Sequence, residues 1–231
     1  MDVKQDATIF QAVGLINGIP YQDAVLGWAI DIQGSQYRLF IPKKLYKGWL
    51  KEMAAKPKTA FFLRVYPKCF IAPKQPPQIY FHVIAWNEKN EAREHINLFT
   101  LKGFWQFIPQ SRLPVLTIYR NKGSKDVTNK FKASHLPVLM RREDVQPYRY
   151  NKADEKPTRY FIQGQFTLVH AKQAFGYRND LEKPSLEAPK FKKPLKAEVK
   201  PGSNPGGKKT EVNPTRPKGD RQPVKIKVAS K

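Results

Sequence analysis

The stretch AFFLRVYPKCFIAPKQPPQIYFHVIAW, residues 60–86, divides into two runs of alternating side chains around a loop rich in proline and lysine. In the first run Phe61, Leu63 and Val65 fall on one face and Phe62, Arg64 and Tyr66 on the other, because side chains alternate along a strand. The second run puts Ile79, Phe81, Val83 and Ala85 on its apolar face and Tyr80, His82, Ile84 and Trp86 opposite. The pattern predicts a strand pair with one face in the core. The other face mixes rings with cations, as a single-stranded nucleic acid requires: bases stack on the rings while cations track the phosphates.

Upstream, residues 8–16 form an apolar run around Gly14, a strand expected to bend at the glycine, and the turn signals Asn17, Gly18 and Pro20 follow. Residues 25–32 and 36–41 read as two further strands joined through Gln33, Gly34 and Ser35. After Pro42 the period changes. Leu45, Trp49 and Met53 stand four apart over a lysine-bearing side, predicting a short amphipathic helix that Gly48 weakens by about 1 kcal/mol relative to alanine. Three strands, a helix and two strands over residues 8–86 resemble the OB fold, a small Greek-key barrel whose helix lies between its third and fourth strands. The resemblance rests on element order and implies oligonucleotide binding as an expectation.

Residues 87–97, NEKNEAREHIN, are polar and mark an expected boundary. Beyond it, residues 99–103 repeat the Phe-x-x-x-Gly spacing of residues 10–14, residues 115–121 match 36–41 in composition, and residues 158–170 match 78–86. Residues 136–140 are a further strand candidate. The expected fold is mainly β: OB-like units at 1–90 and 91–178, the second irregular, with one continuous β domain as the alternative. Residues 179–231 hold 14 basic and 6 acidic residues, eight prolines and Phe191 as their only aromatic. Such a composition buries too little apolar surface to offset its ordering entropy, and a disordered basic tail is expected.

Forty-two basic against 19 acidic residues give a net charge of +23, and +15 without the tail. A field of that size attracts polyanions through counterion release, with nucleic acid first among them. The single cysteine, Cys69, excludes an internal disulfide framework and multi-cysteine zinc sites. No stretch approaches the roughly 18 apolar residues of a membrane span, and a soluble, cytoplasmic protein is expected. Neither catalysis, metal nor cofactor is expected. His82, His95, His135 and His170 lack ligand spacing, and no glycine-rich phosphate loop or nucleophile elbow occurs.

Six of the ten tyrosines adjoin an arginine. Strand neighbours point to opposite faces, so same-face sets such as Arg64, Tyr66 and Lys68 carry more weight than adjacent pairs. The candidate nucleic-acid contacts are Tyr37, Arg38, Lys43, Lys44, Arg64, Tyr66, Lys68, Trp86, Tyr119, Arg120, Arg141, Arg142, Tyr148, Arg149, Tyr150, Arg159 and Tyr160. The expected function is a non-catalytic binder of single-stranded RNA or DNA. The alternative is a scaffold that holds proteins within a nucleoprotein assembly and touches nucleic acid through its tail alone.

Overall fold

The alternation in residues 60–86 produces strands β5 (Phe61–Phe70) and β6 (Gln78–Asn87), antiparallel to each other, with Phe61, Leu63, Val65, Phe81 and Val83 buried. The computed structural model describes residues 9–90, 95–122, 133–152 and 158–192, all within one compact unit. Before the pair come β1 (Gln11–Gly18), β2 (Pro20–Asp23), β3 (Gly27–Ile32), β4 (Ser35–Phe40) and helix α1 (Lys43–Ala55). After it come β7 (Leu98–Gln106), β8 (Val115–Ile118), β9 (Arg120–Asn121), β10 (Ser134–Leu139), β11 (Phe161–Val169), β12 (Ala174–Ser185) and β13 (Phe191–Lys192). The protein is mainly β.

Eleven strands join one sheet in the order β11-β12-β10-β8-β7-β1-β5-β6-β4-β3-β2. A further pairing of β11 with β7 turns β7, β8, β10, β12 and β11 into a ring, with β10 and β12 parallel. At the other end the chain does covalently what hydrogen bonds do there. β2 follows β1 across the single residue Ile19 and pairs with β3, while β1 pairs with β5. The path through β3, β4, β6 and β5 therefore returns to β1, and its β4–β6 pairing is also parallel. The turn expected at Asn17, Gly18 and Pro20 is a kink between two strands that continue each other.

β1 also pairs with β7, in a register that sets Gly14 against Phe99. A methyl group on Gly14 would overlap the Phe99 ring. Phe99 in turn stacks on Phe81 at 6.0 Å and meets Phe175 edge-on at 5.0 Å, so one buried ring ties the first strand group to the second. Hydrogen bonds thus cross the boundary expected near residue 90. The Phe-x-x-x-Gly echo matched Gly14 with Gly103, but the surroundings match a different glycine. A Cβ on Gly18 would press on Ile30 and the Asp31 carbonyl of β3, and one on Gly103 on Ile118 and the Thr117 carbonyl of β8.

Helix α1 fulfils its period. Trp49 is wholly buried and meets Trp28 and Trp86 edge-on at 5.4 and 5.3 Å. Part of the segment expected as a disordered tail from residue 179 is structured instead. Residues 179–185 complete β12, and β13 pairs with β9, where Phe191 stacks on Tyr119 at 4.4 Å. Backbone hydrogen bonds to β11 and an aromatic neighbour supply what this polar segment cannot supply alone. Residues 193–231 lie outside the described residues.

Gly14 of β1 and Gly48 of α1 make opposite predictions. Gly14→Ala overpacks the seam and should cost about 1–3 kcal/mol. Gly48→Ala places its methyl at ordinary contact distance, 3.8 Å from the Trp86 ring, and should add about 0.5–1 kcal/mol through helix propensity. Urea denaturation of both variants against the parent chain measures each sign.

Candidate nucleic-acid interface

The outer faces of β4, β6 and β5 carry a two-row array of rings and cations. Phe40 pairs with His82 across the β4–β6 ladder and Tyr66 pairs with His82 across β5–β6, giving the row Phe40, His82, Tyr66. Two residues along, Tyr80 pairs with Lys68 across β5–β6, and Arg38 of β4 lines the same groove as Tyr80, close enough for its charge to act on the phenol. Phe40 and His82 are stacked at 4.5 Å, and Tyr80 tilts against His82 at 5.6 Å. Beside the rows lies a groove of about 730 Å³ walled by Gln36, Phe70, Pro76, Pro77 and Gln78. Tyr66 is 48% exposed and Phe70 56%, so both rings are open to a ligand.

Burial tunes the ionisable groups here. Lys68 donates to Ser134 Oγ at 2.6 Å, and desolvation lowers its pKa. Desolvation, and then the Lys68 charge, push His82 down to about 4, so its ring is neutral at pH 7 and available for stacking. Cys69 is pushed up to about 12 by burial and is a protonated thiol. Among the described residues no cluster of His, Cys, Asp or Glu is placed to hold a metal ion, and no helix is long and apolar enough to cross a membrane.

No family model, no curated protein and no solved structure matches this chain. The geometry of its own residues therefore carries the functional argument.

That geometry divides the sequence candidates. Arg38, Arg64, Tyr66 and Lys68 share the outer face of the β4–β6–β5 layer. Lys43 and Lys44 are exposed in the first turn of α1. Trp86 is a correction. Ile84 is an extra residue opposite the Arg64–Val65 step, a β-bulge that reverses the alternation, so Ala85 turns outward and Trp86 turns in against Trp49. Tyr37 is buried as well. Its hydroxyl contacts His170 Nδ1 at 2.8 Å and accepts from Gln173 Nε2 at 3.1 Å, joining β4 to the turn between β11 and β12.

In the second strand group Tyr119 packs in a cluster with Phe10, Phe104 and Phe191, and Arg120 pairs its backbone with Lys192. Arg142 is clamped by Asp144 and Asp180 at 2.7 Å, which raises its pKa and spends its charge. Arg159 lies over the Tyr148 ring, and Tyr160 packs against the core. Arg141, Arg149 and Tyr150 are exposed, Tyr150 at 78%. Phe40, Phe70, Tyr80, His82, Gln36 and Gln78 were missing from the candidates. Period-two alternation already placed Tyr80 and His82 on the Arg64 side, but bringing Arg38 and Phe40 beside them needs the parallel β4–β6 register, which no local pattern announces.

Because the folded state holds His82 near 4 while an unfolded histidine titrates near 6.5, the unfolded chain binds the proton first. Stability should therefore fall as pH drops from about 6.5 towards 4. His135 and His170, also lowered by burial, add to the same slope. Denaturation midpoints between pH 7.5 and 4.5 should decline less steeply in His82→Phe than in the parent chain.

Proposed function

We propose that this protein is a non-catalytic binder of single-stranded nucleic acid, built on two OB-type barrels in tandem, with the groove on β4, β6 and β5 as its main reading surface. The observation that carries the reading is the row Phe40–His82–Tyr66, with Tyr80 paired to Lys68 beside it and Arg38 lining the same groove, so that rings and cations share one face. Bases stacked on such rings gain about 1–3 kcal/mol each, whatever their identity.

The barrel reading is supported by topology. In each group the fourth strand lies beside the first and the spatial order is 4-1-2-3, as in a Greek key. A fifth strand pairs parallel with the third in both, and α1 sits between the third and fourth strands of the first. The third strand of such a barrel belongs to the face that commonly takes oligonucleotides. Here that strand is β4, which supplies Phe40 to the row and Arg38 to the groove.

Fluorescence anisotropy with labelled oligonucleotides at several salt concentrations tests the proposal. Tyr80→Ala should weaken binding roughly tenfold at every salt concentration, the loss of one stacked base. Arg38→Ala should flatten the slope of log affinity against log salt by about 0.7. Removing residues 193–231 separates this reading from the scaffold alternative. If affinity disappears with the tail while Tyr80→Ala changes nothing, the groove is not the reader.

A further inference from the structure

Phe70 lines the groove, and the next residue, Ile71, lines a second pocket of about 330 Å³. This pocket lies between two connections: residues 71–77, which join β5 to β6, and residues 107–114, which join β7 to β8. The first belongs to one strand group and the second to the other. Pro76 and Pro77 line both the groove and the pocket, so one wall is common to the two.

Each connection brings one cation to the pocket. The Gln75 N–H donates to the Ala72 carbonyl at 3.3 Å, closing a turn with Pro73 and Lys74 at its centre. Lys74 has a φ of +62°, in the left-handed region that glycine or asparagine ordinarily takes at this place in a turn. A lysine held there is strained, and strain of this kind collects at ligand-binding sites. In the second connection the Ser111 hydroxyl donates to the Leu113 carbonyl at 2.7 Å and accepts from the Leu113 N–H at 3.2 Å. The Ser111 N–H donates to the Ile108 carbonyl at 3.1 Å. Arg112 stands in this braced turn with its side chain exposed.

The charge around the pocket is of one sign. Lys74 and Arg112 line it with Gln75, Gln110 and Ser111, all able to donate hydrogen bonds, and among the described residues no carboxylate lines it. Both cations are exposed and, among the described residues, neither forms an ion pair. The groove face has the reverse emphasis. Phe40, Tyr66, Phe70, Tyr80 and His82 offer rings there, while Lys68 is half-buried against Ser134. A single strand needs both, platforms for its bases and cations along its phosphates.

We propose that the pocket between residues 71–77 and 107–114 is a phosphate-binding bridge. A single strand leaving the groove crosses it from the first strand group to the second, with Lys74 and Arg112 on its backbone. The inference rests on the nucleic-acid reading above and gives the strand a path beyond the groove. Phosphate contacts carry no base identity, so the bridge adds affinity and a dependence on ligand length without sequence selectivity.

The test titrates labelled oligo(dT) of about 5 and about 14 nucleotides, within the range of single-strand site sizes, into the full chain and its variants by anisotropy at several salt concentrations. The variants are Lys74→Gly, Arg112→Ala, the two combined, and Tyr80→Ala. The combined variant should weaken the longer ligand about tenfold at low salt and flatten its slope of log affinity against log salt by about 1.4, two phosphate contacts at about 0.7 each. The shorter ligand should bind it as it binds the parent chain, whereas Tyr80→Ala should weaken both lengths. Glycine accepts the left-handed φ at position 74 and Arg112 is exposed, so urea midpoints of the two single variants should stay with the parent's. An unchanged slope and affinity for the longer ligand in the combined variant, or equal losses for both lengths, overturns the bridge, while a Tyr80-dependent affinity leaves the groove standing. A parent chain that binds neither length at low salt overturns both proposals.

Discussion

Phe99 occupies the space above Gly14 where β1 meets β7, and from there its ring reaches Phe81 on one side and Phe175 on the other. Each of these three rings is fully buried. Bare backbone at Gly14 is what permits the approach, because interiors are packed at crystal density and do not absorb an extra methyl group without displacement. β1 serves two partners at once: Gly14 pairs with Val65 of β5 on one edge and with Phe99 of β7 on the other. The positions of β5, β6 and β4, and hence the two rows of rings and cations on them, follow from that strand.

The strands were largely legible and their environments were not. Period two placed β3, β4, β5 and β6 within a few residues of their bounds, and period four found α1. Ile84 defeated the same rule, since one inserted residue exchanges the two faces of everything beyond it and carries Trp86 from the surface to the helix. β12 failed for another reason. Its residues 178–183, RNDLEK, have no strand character of their own and are held by pairing with β11 through several register shifts. The tyrosine–arginine neighbours were the weakest guide, because a strand sends adjacent residues to opposite sides: Tyr37 went to the core and Arg38 to the groove.

Net charge overstated how many cations are available to a ligand. Arg142 is committed to two carboxylates, Lys56 is shared by Glu52 and Glu88, and Lys68 is half-buried against Ser134. Rings are committed in the same way, for Tyr119 and Tyr160 pack inside. What is left on the β4–β6–β5 face is a small set with one distinguishing property. Its central member, His82, is an uncharged stacking ring at neutral pH because burial and the neighbouring Lys68 keep the proton off.

The aromatic cluster around Tyr119 gathers residues from both extremes of the described chain. Phe10 and Phe191 meet edge-on at 5.4 Å, and Asn121 accepts from the Phe10 N–H and donates to its carbonyl. The two ends of the described chain are therefore neighbours, the arrangement under which a chain can be rejoined end to end and opened elsewhere without losing its pairings. A permuted chain opened between β3 and β4, whose connection is the two-residue turn of Gln33 and Gly34, would keep the β1–β7 seam and the cluster intact. Connectivity here is thus separable from architecture: the order in which the strands are synthesised can change while their neighbours do not.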